Sequence, residues 1–476
     1  MAKFISSVVY NGIGEIGSRL PYIVTEIFIA KSLGVANYGI WAIIQLVVNY
    51  NNFSHFGLLS GLSKLEPLLI GNQSERKIEL LRSNSFYPVA FIDAIILFLG
   101  LAFYSIGWIK LDIINNDINL IISLTLLLIM QQLFLYAQVR LQNIVDFKTL
   151  SQGKLILSTS FMLFVILQLD ALNLDSVVFS WVVSYLITNI YLFLKSQILP
   201  RPNFTYSILK ELFWVGIPIF LMGIVKLFLV SLDKIAVINY FSSSEVATYN
   251  ISLQAMLIMT MVIGLISRVF SPIFINVSTK NASQSDAFYY DTKLLSFIGG
   301  SILAFICSFL FISIIDNVLP EFESGKIPGV FLIFSGIYQG GIQLAISKVM
   351  VLNREKKLLY FYLLSGGSYA AILFFLGSNS FSLISISVTN LIFWIVLDIA
   401  VCRAILKEKP TLSFKYNSVI IIYLFLSVAL LESDINMITY TIISIGFSLI
   451  SLTAFFFITW RRIIQLNFLG DRSSYE

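Results

Sequence analysis

Long apolar runs alternate with short polar breaks along the whole chain. The runs are continuous in Ile, Leu and Phe, without the polar–apolar alternation of a barrel strand, so each predicts a membrane-crossing α-helix. Fourteen spans are predicted, over 8–33, 38–62, 86–108, 119–139, 155–173, 176–195, 211–238, 246–275, 294–315, 328–350, 358–377, 381–402, 417–432 and 437–460. The breaks carry turn and charge signals, as in Gly71-Asn72-Gln73-Ser74-Glu75-Arg76-Lys77, Pro200-Arg201-Pro202-Asn203 and Asn353-Arg354-Glu355-Lys356-Lys357. The first span has charges in its middle and lacks a small-residue cleavage site, so no cleavable signal peptide is expected. The predicted class is all-α and polytopic, with short loops and no room for a soluble domain.

Composition agrees. The 476 residues are 58% hydrophobic and only 12% charged, about half the charge of an ordinary soluble chain. That is too little to cover a water-facing surface, so a soluble enzyme is excluded. Cys307 and Cys402 both fall in apolar runs, which excludes a disulfide framework or a Cys-based metal site. The single histidine, His55, excludes His-cluster zinc chemistry and reads as a satisfied polar residue. No metal or cofactor is expected, and the formal net charge of +5 is no nucleic-acid signal in such a chain.

Lys and Arg sort by loop. One set runs from Lys3 through Arg76 and Lys77, Arg140 and Lys148, Arg201 and Lys210, Lys280 and Lys293, and Lys356 and Lys357. It continues through Lys407 and Lys409 to Arg461 and Arg462. The opposite loops hold only Lys31, Lys110 and Lys326. The positive-inside rule then places both termini in the cytoplasm, as an even number of spans requires.

The remaining basic residues, Arg19, Lys226 and Lys234, lie inside spans. Val35-Ala36-Asn37-Tyr38 follows the first span and Val246-Ala247-Thr248-Tyr249 follows the seventh. The same displacement maps Gly12 onto Gly223 and Glu15 onto Lys226. This predicts two six-span halves, 1–200 and 201–416, related as a parallel repeat, with 417–476 adding two spans and a cytoplasmic tail.

Charges at span depth cost about 2.5–3.5 kcal/mol each on insertion scales, so they mark wet cavities or partners. Asn11, Glu15, Arg19, Tyr22 and Glu26 share one helical stripe of the first span. Glu15 and Arg19 are an i,i+4 pair that can neutralise itself between packed helices; Glu26 on the same stripe argues for a hydrated face. The seventh span carries Lys226 and Asp233 on one face, with Lys234 beside them near the outer interface, where it can also snorkel. Gly216, Pro218 and Gly223 precede them and predict a bend. Gln45, Asn49 and Asn52 share a face of the second span, Gln132 and Tyr136 of the fourth, and Gln339 and Gln343 of the tenth. Each is a cavity-lining candidate, with interhelical hydrogen bonding as the alternative. Asp93 and Asp398 are lone acids of the third and twelfth spans.

The stretch from Ile29 through Ala30-Lys31-Ser32-Leu33-Gly34-Val35-Ala36-Asn37-Tyr38 to Gly39, continued by Phe56-Gly57-Leu58, Gly61 and Lys64, resembles the first-loop signature of polysaccharide flippases. Asp233-Lys234 with Val246-Ala247-Thr248-Tyr249 resembles its second-half counterpart. The chain thus looks like a Wzx-type O-antigen or capsule repeat-unit flippase of the multidrug/oligosaccharidyl-lipid/polysaccharide (MOP) exporter superfamily. Its fourteen spans look more like the lipid II flippase branch.

The resemblance implies a MATE-like pair of six-helix bundles around a central cavity, in the inner membrane. It implies a non-enzymatic flippase that carries an undecaprenyl-diphosphate-linked oligosaccharide outward by alternating access. A polysaccharide polymerase and a chain-length protein are the implied partners, besides membrane lipid. Arg19 and Lys226, with Lys234, fit the diphosphate. Glu15, Glu26 and Asp233 fit a coupling proton or sodium ion, and the amide and tyrosine stripes fit the glycan.

The rivals are a lipid II-type flippase and a MATE-like small-molecule exporter, which would use acids to bind cationic drugs. A membrane glycosyltransferase or polymerase is disfavoured. Its only paired-acid candidate is Glu321-Phe322-Glu323, in a short outer loop. No Gly-Lys-Ser/Thr phosphate loop occurs, so the driving force is ionic, electrical or substrate consumption outside.

Overall fold

A computed structural model describes residues 2–71, 75–105, 118–196, 199–280, 282–352, 354–378, 381–406 and 420–428. Among them there is no β-strand. Twelve α-helices follow in order: α1 (Ala2–Asn51), α2 (Leu58–Gly71), α3 (Glu75–Ser105), α4 (Ile118–Asn143), α5 (Phe147–Leu167), α6 (Leu174–Ser196), α7 (Tyr206–Tyr240), α8 (Ser243–Lys280), α9 (Ala282–Asn317), α10 (Lys326–Val351), α11 (Glu355–Ser378) and α12 (Leu383–Ala400). Ten helices or helix segments among the described residues are long and apolar enough to cross a membrane. All-helical spans follow from the solvent, since in lipid every backbone N–H and C=O must be satisfied inside its own segment. The predicted fourteenth span, and the predicted thirteenth outside 420–428, lie outside the described residues.

Two predicted spans join into α1. Its limbs meet at Gly34, whose φ of 68° suits glycine. The predicted span 38–62 is not one helix. It stops at Asn51 and resumes at Leu58, across a turn in which Phe56 (φ 46°) and Gly57 (φ 88°) are left-handed. The turn-rich sequence Asn51-Asn52-Phe53-Ser54-His55-Phe56-Gly57 outweighs the apolar residues on either side.

The chain divides into two compact units, Met1–Ala247 and Thr248–Glu476. In the first, α1 packs on α5, α4 and α5 on α6, and α2 on α7. The α2–α7 crossing is backbone to backbone: a Cβ on Gly216 would overlap the Gly57 carbonyl oxygen, and one on Gly61 the Leu212 carbonyl. Small residues permit such approach where lipid supplies no hydrophobic drive. The α6–α7 connection is tied to α3. Asn203 N donates to Ser83 Oγ (2.7 Å), Thr205 N to Asn84 Oδ1 (2.8 Å), and Tyr87 Oη to the Pro200 carbonyl (2.9 Å).

In the second unit α10 is enclosed nearly all round by α9 and α12. Its Gly329, Gly336 and Gly341 meet Phe311, Met256 and Phe297 so closely that a Cβ would not fit. Tyr369 and Phe393 stack at 4.0 Å across α11 and α12.

Candidate functional site

Glu26 organises the centre of the first unit. It lies on the first limb of α1 and is 2% exposed. The second limb brings its donors: Tyr38 Oη at 3.0 Å, Trp41 Nε1 at 3.3 Å and Gln45 Nε2 at 2.6 Å. Gln45 Nε2 also donates to Tyr22 Oη at 3.1 Å. The break at Gly34 makes this closure, because it brings residues 12–19 positions downstream of Glu26 back to its side chain. An aromatic wall backs the site, with Trp41 5.2 Å from Trp181 and Phe161 stacked on Trp181 at 5.6 Å. Lys234 of α7, half-buried, lies within electrostatic reach of Glu26 and of its neighbour Asp233. Asp233 is fully buried, and its Oδ1 accepts the Lys234 backbone N–H at 2.8 Å.

The other predicted cations are more exposed than this buried centre, with Arg19 within electrostatic reach of Tyr22. Arg19 on α1 and Lys226 on α7 are both exposed, and both belong to the unit Met1–Ala247. The first-span stripe therefore differs in burial along its length, from exposed Arg19 through half-buried Tyr22 to buried Glu26. The side chains of Asn11 and Glu15 lie outside what the structure describes.

A second polar cluster forms at the α1–α2 break. Asn51 Nδ2 donates to Gln131 Oε1 (3.0 Å), and Gln131 Nε2 to Asn52 Oδ1 (3.0 Å) and the Val48 carbonyl (3.0 Å). Gln132 Nε2 donates to the Asn51 carbonyl. Asn49 is exposed, and only its carbonyl joins this cluster, accepting from Asn52 Nδ2 at 3.2 Å. Gln132 and Tyr136 make no hydrogen bond to each other: both are 2% exposed, and Gln132 Oε1 and Tyr136 Oη have no partner. Ser54 Oγ donates to Asp93 Oδ1 at 2.9 Å.

In the second unit, Gln339 Oε1 accepts from Thr260 Oγ1 at 2.6 Å, and Gln343 lies beside Gly264. The acid Asp398 is paired. Lys293 Nζ of α9 reaches its two oxygens at 3.0 and 3.2 Å. The sequence assigns Lys293 to a cytoplasmic loop, whereas the structure places it fully buried on α9. Its position seven residues before Gly300 in a mainly apolar stretch was the available signal. Back in the first unit, a further buried acid, Glu66 on α2, accepts from Arg82 Nε (2.8 Å), Arg140 Nη1 and Asn143 Nδ2 (2.7 Å).

The family model described as polysaccharide biosynthesis protein matches residues 28–317, which include Glu26's donors, the α1–α2 break and α7. The chain belongs to the polysaccharide biosynthesis protein family. A comparison with curated proteins finds no match. Among solved structures, this polysaccharide biosynthesis protein is similar to a lipid II flippase MurJ in its inward closed conformation. The TM-score is 0.75 at 14% identity, over 96% of this chain and 100% of that one. It is also similar to an inward-facing MATE family multidrug resistance transporter of the MOP superfamily (TM-score 0.63, 14% identity, 82% and 95% covered). A Vibrio cholerae MATE transporter, VcmN, matches at TM-score 0.57 and 13% identity (87% and 98% covered). The chain thus has the fold of these membrane proteins, and ten of its helices or helix segments among the described residues are long and apolar enough to cross a membrane.

Proposed function

We propose that this polysaccharide biosynthesis protein translocates an undecaprenyl-diphosphate-linked oligosaccharide repeat unit across the bacterial inner membrane by alternating access. Both termini lie in the cytoplasm in this reading, because the basic loops are on that side. The observation that carries the reading is the exposure of two basic side chains within spans, Arg19 on α1 and Lys226 on α7, in a chain of this family. A diphosphate crossing a low-dielectric layer needs cations. Guanidinium binds phosphate oxygens bidentately, and ammonium binds them as a point charge. Half-buried Asn52 and Tyr22 offer glycan hydroxyls donors and acceptors, and the polyprenyl chain stays in lipid.

Glu26 and Asp233 are the acids of the coupling step. Each is buried within electrostatic reach of Lys234, so a change in proton or cation occupancy there shifts the local charge balance and biases one conformation. Glu15 joins them on the sequence stripe.

The test is surface polysaccharide in a strain lacking the native gene, complemented with Arg19→Ala, Lys226→Ala or Arg19→Lys. The alanine variants should be present at normal level in the membrane and fail to export, with Arg19→Lys retaining part of the activity. Full export by both alanine variants overturns the diphosphate role. Efflux of cationic drugs without polysaccharide export would favour a MATE-like small-molecule exporter instead.

A further inference from the structure

The α3–α4 face holds a feature that neither the diphosphate site nor the coupling acids of the flippase reading use. A small cavity of ≈ 20 Å³ is lined by Ser85, Asp93, Gln132 and Tyr136, with apolar residues such as Val89 and Leu133 among them. That is room for one water or one small ion. Asp93 is 8% exposed, and Ser54 occupies its Oδ1. Among the described residues no Lys or Arg pairs with it, and Arg82, the nearest basic residue on α3, is engaged by Glu66. A carboxylate at span depth without a basic partner needs a counter-charge. Two further lining residues, Gln132 and Tyr136, are each 2% exposed, and the atoms Gln132 Oε1 and Tyr136 Oη have no hydrogen-bond partner. Buried polar atoms are ordinarily satisfied, so each such orphan calls for an occupant.

We propose that this cavity binds a small monovalent cation of the sodium type, neutralised by the Asp93 carboxylate and solvated by Gln132 Oε1 and Tyr136 Oη. An all-oxygen set selects a hard cation, and a single carboxylate matches a single positive charge. The site is wired to the α1–α2 break from two sides: Asp93 holds Ser54 of the break, and Gln132 holds the Asn51 carbonyl that ends α1. Occupancy therefore stabilises the turn over 52–57, the interruption of the second predicted span, and through it the limb of α1 that carries Gln45 to Glu26.

The experiment is thermal unfolding of the purified full-length protein in detergent, at fixed pH and ionic strength, with sodium chloride replaced stepwise by choline chloride or potassium chloride. Sodium should raise the unfolding midpoint of the wild type saturably, by a few °C, as expected for a ligand that binds only the folded state. Asp93→Asn, which keeps the bond from Ser54, should abolish the response. Tyr136→Phe, which keeps the ring packing of 4.8 Å against Phe86, should shift the sodium half-saturation several-fold higher. A wild type indifferent to sodium overturns the proposal and leaves a bridging water beside a protonated Asp93. An undiminished sodium response in Asp93→Asn, or an unshifted half-saturation in Tyr136→Phe should Asp93→Asn fail to fold, overturns it equally. The readout is binding, so it stands or falls independently of which substrate is exported.

Discussion

Lys293 on α9 and Asp398 on α12 form an ion pair with Nζ–Oδ1 at 3.0 Å, both side chains fully enclosed, with Cys402 Sγ at 2.7 Å and the Phe297 ring beneath the ammonium. Removing either partner strands a buried charge, which costs about 3–5 kcal/mol, whereas replacing both by apolar groups of similar volume is often neutral or better. Lys293→Met and Asp398→Leu should each lower the unfolding midpoint of the purified protein strongly. The double variant should recover most of it. A double variant as unstable as the singles would show that the pair does more than neutralise itself.

Glu26 accepts from three side chains of the opposite α1 limb, so it acts as a clasp across Gly34. Tyr38→Phe deletes one of these donors and should cost about 0.5–3 kcal/mol. Glu26→Gln places an amide donor among donors and should cost at least as much. Melting curves of the two variants against wild type decide this. An unchanged midpoint for Tyr38→Phe would mean that the clasp contributes nothing to the bend.

The Gly57–Gly216 contact holds α2 against α7 at backbone distance. Gly216→Val should force the helices apart, with an overpacking cost of about 1–3 kcal/mol or more. The expected outcome is low membrane abundance and a protease-sensitive protein. Gly367, with open space around its Cβ position, is the control, and Gly367→Ala should leave abundance unchanged. Equal abundance of the two variants would remove the packing argument.

Orientation is open to labelling. In a variant lacking Cys307 and Cys402, a cysteine at exposed Glu321 should react with an impermeant maleimide in intact cells, and one at exposed Lys357 only after permeabilisation. Labelling at 357 in intact cells would invert the topology drawn from the basic loops.

What the sequence by itself determined is the part of the physics that is local and additive. Transfer of an apolar run into lipid sums residue by residue, so the all-helical, multi-span class and the bias of Lys and Arg toward one set of loops are legible without coordinates. The family-like stretch from Ile29 to Gly39 was legible for the same reason. Its Tyr38 needed only to be seen in order, although its role as a donor to Glu26 was not visible.

The tertiary structure decided every partnership. Spacing placed Arg19, Tyr22 and Glu26 on one stripe, yet only packing against the second limb of α1 buried Glu26 and left Arg19 exposed. Asp93 and Asp398 looked alike as lone acids. One received a buried ammonium from 105 residues away, and the other a serine hydroxyl from 39 residues away. The second predicted span broke at 52–57 because its amides found hydrogen-bond partners on α4. Hydropathy measures how much a residue prefers lipid. It carries no information on which distant group meets a buried charge, because that pairing exists only once two helices are in contact.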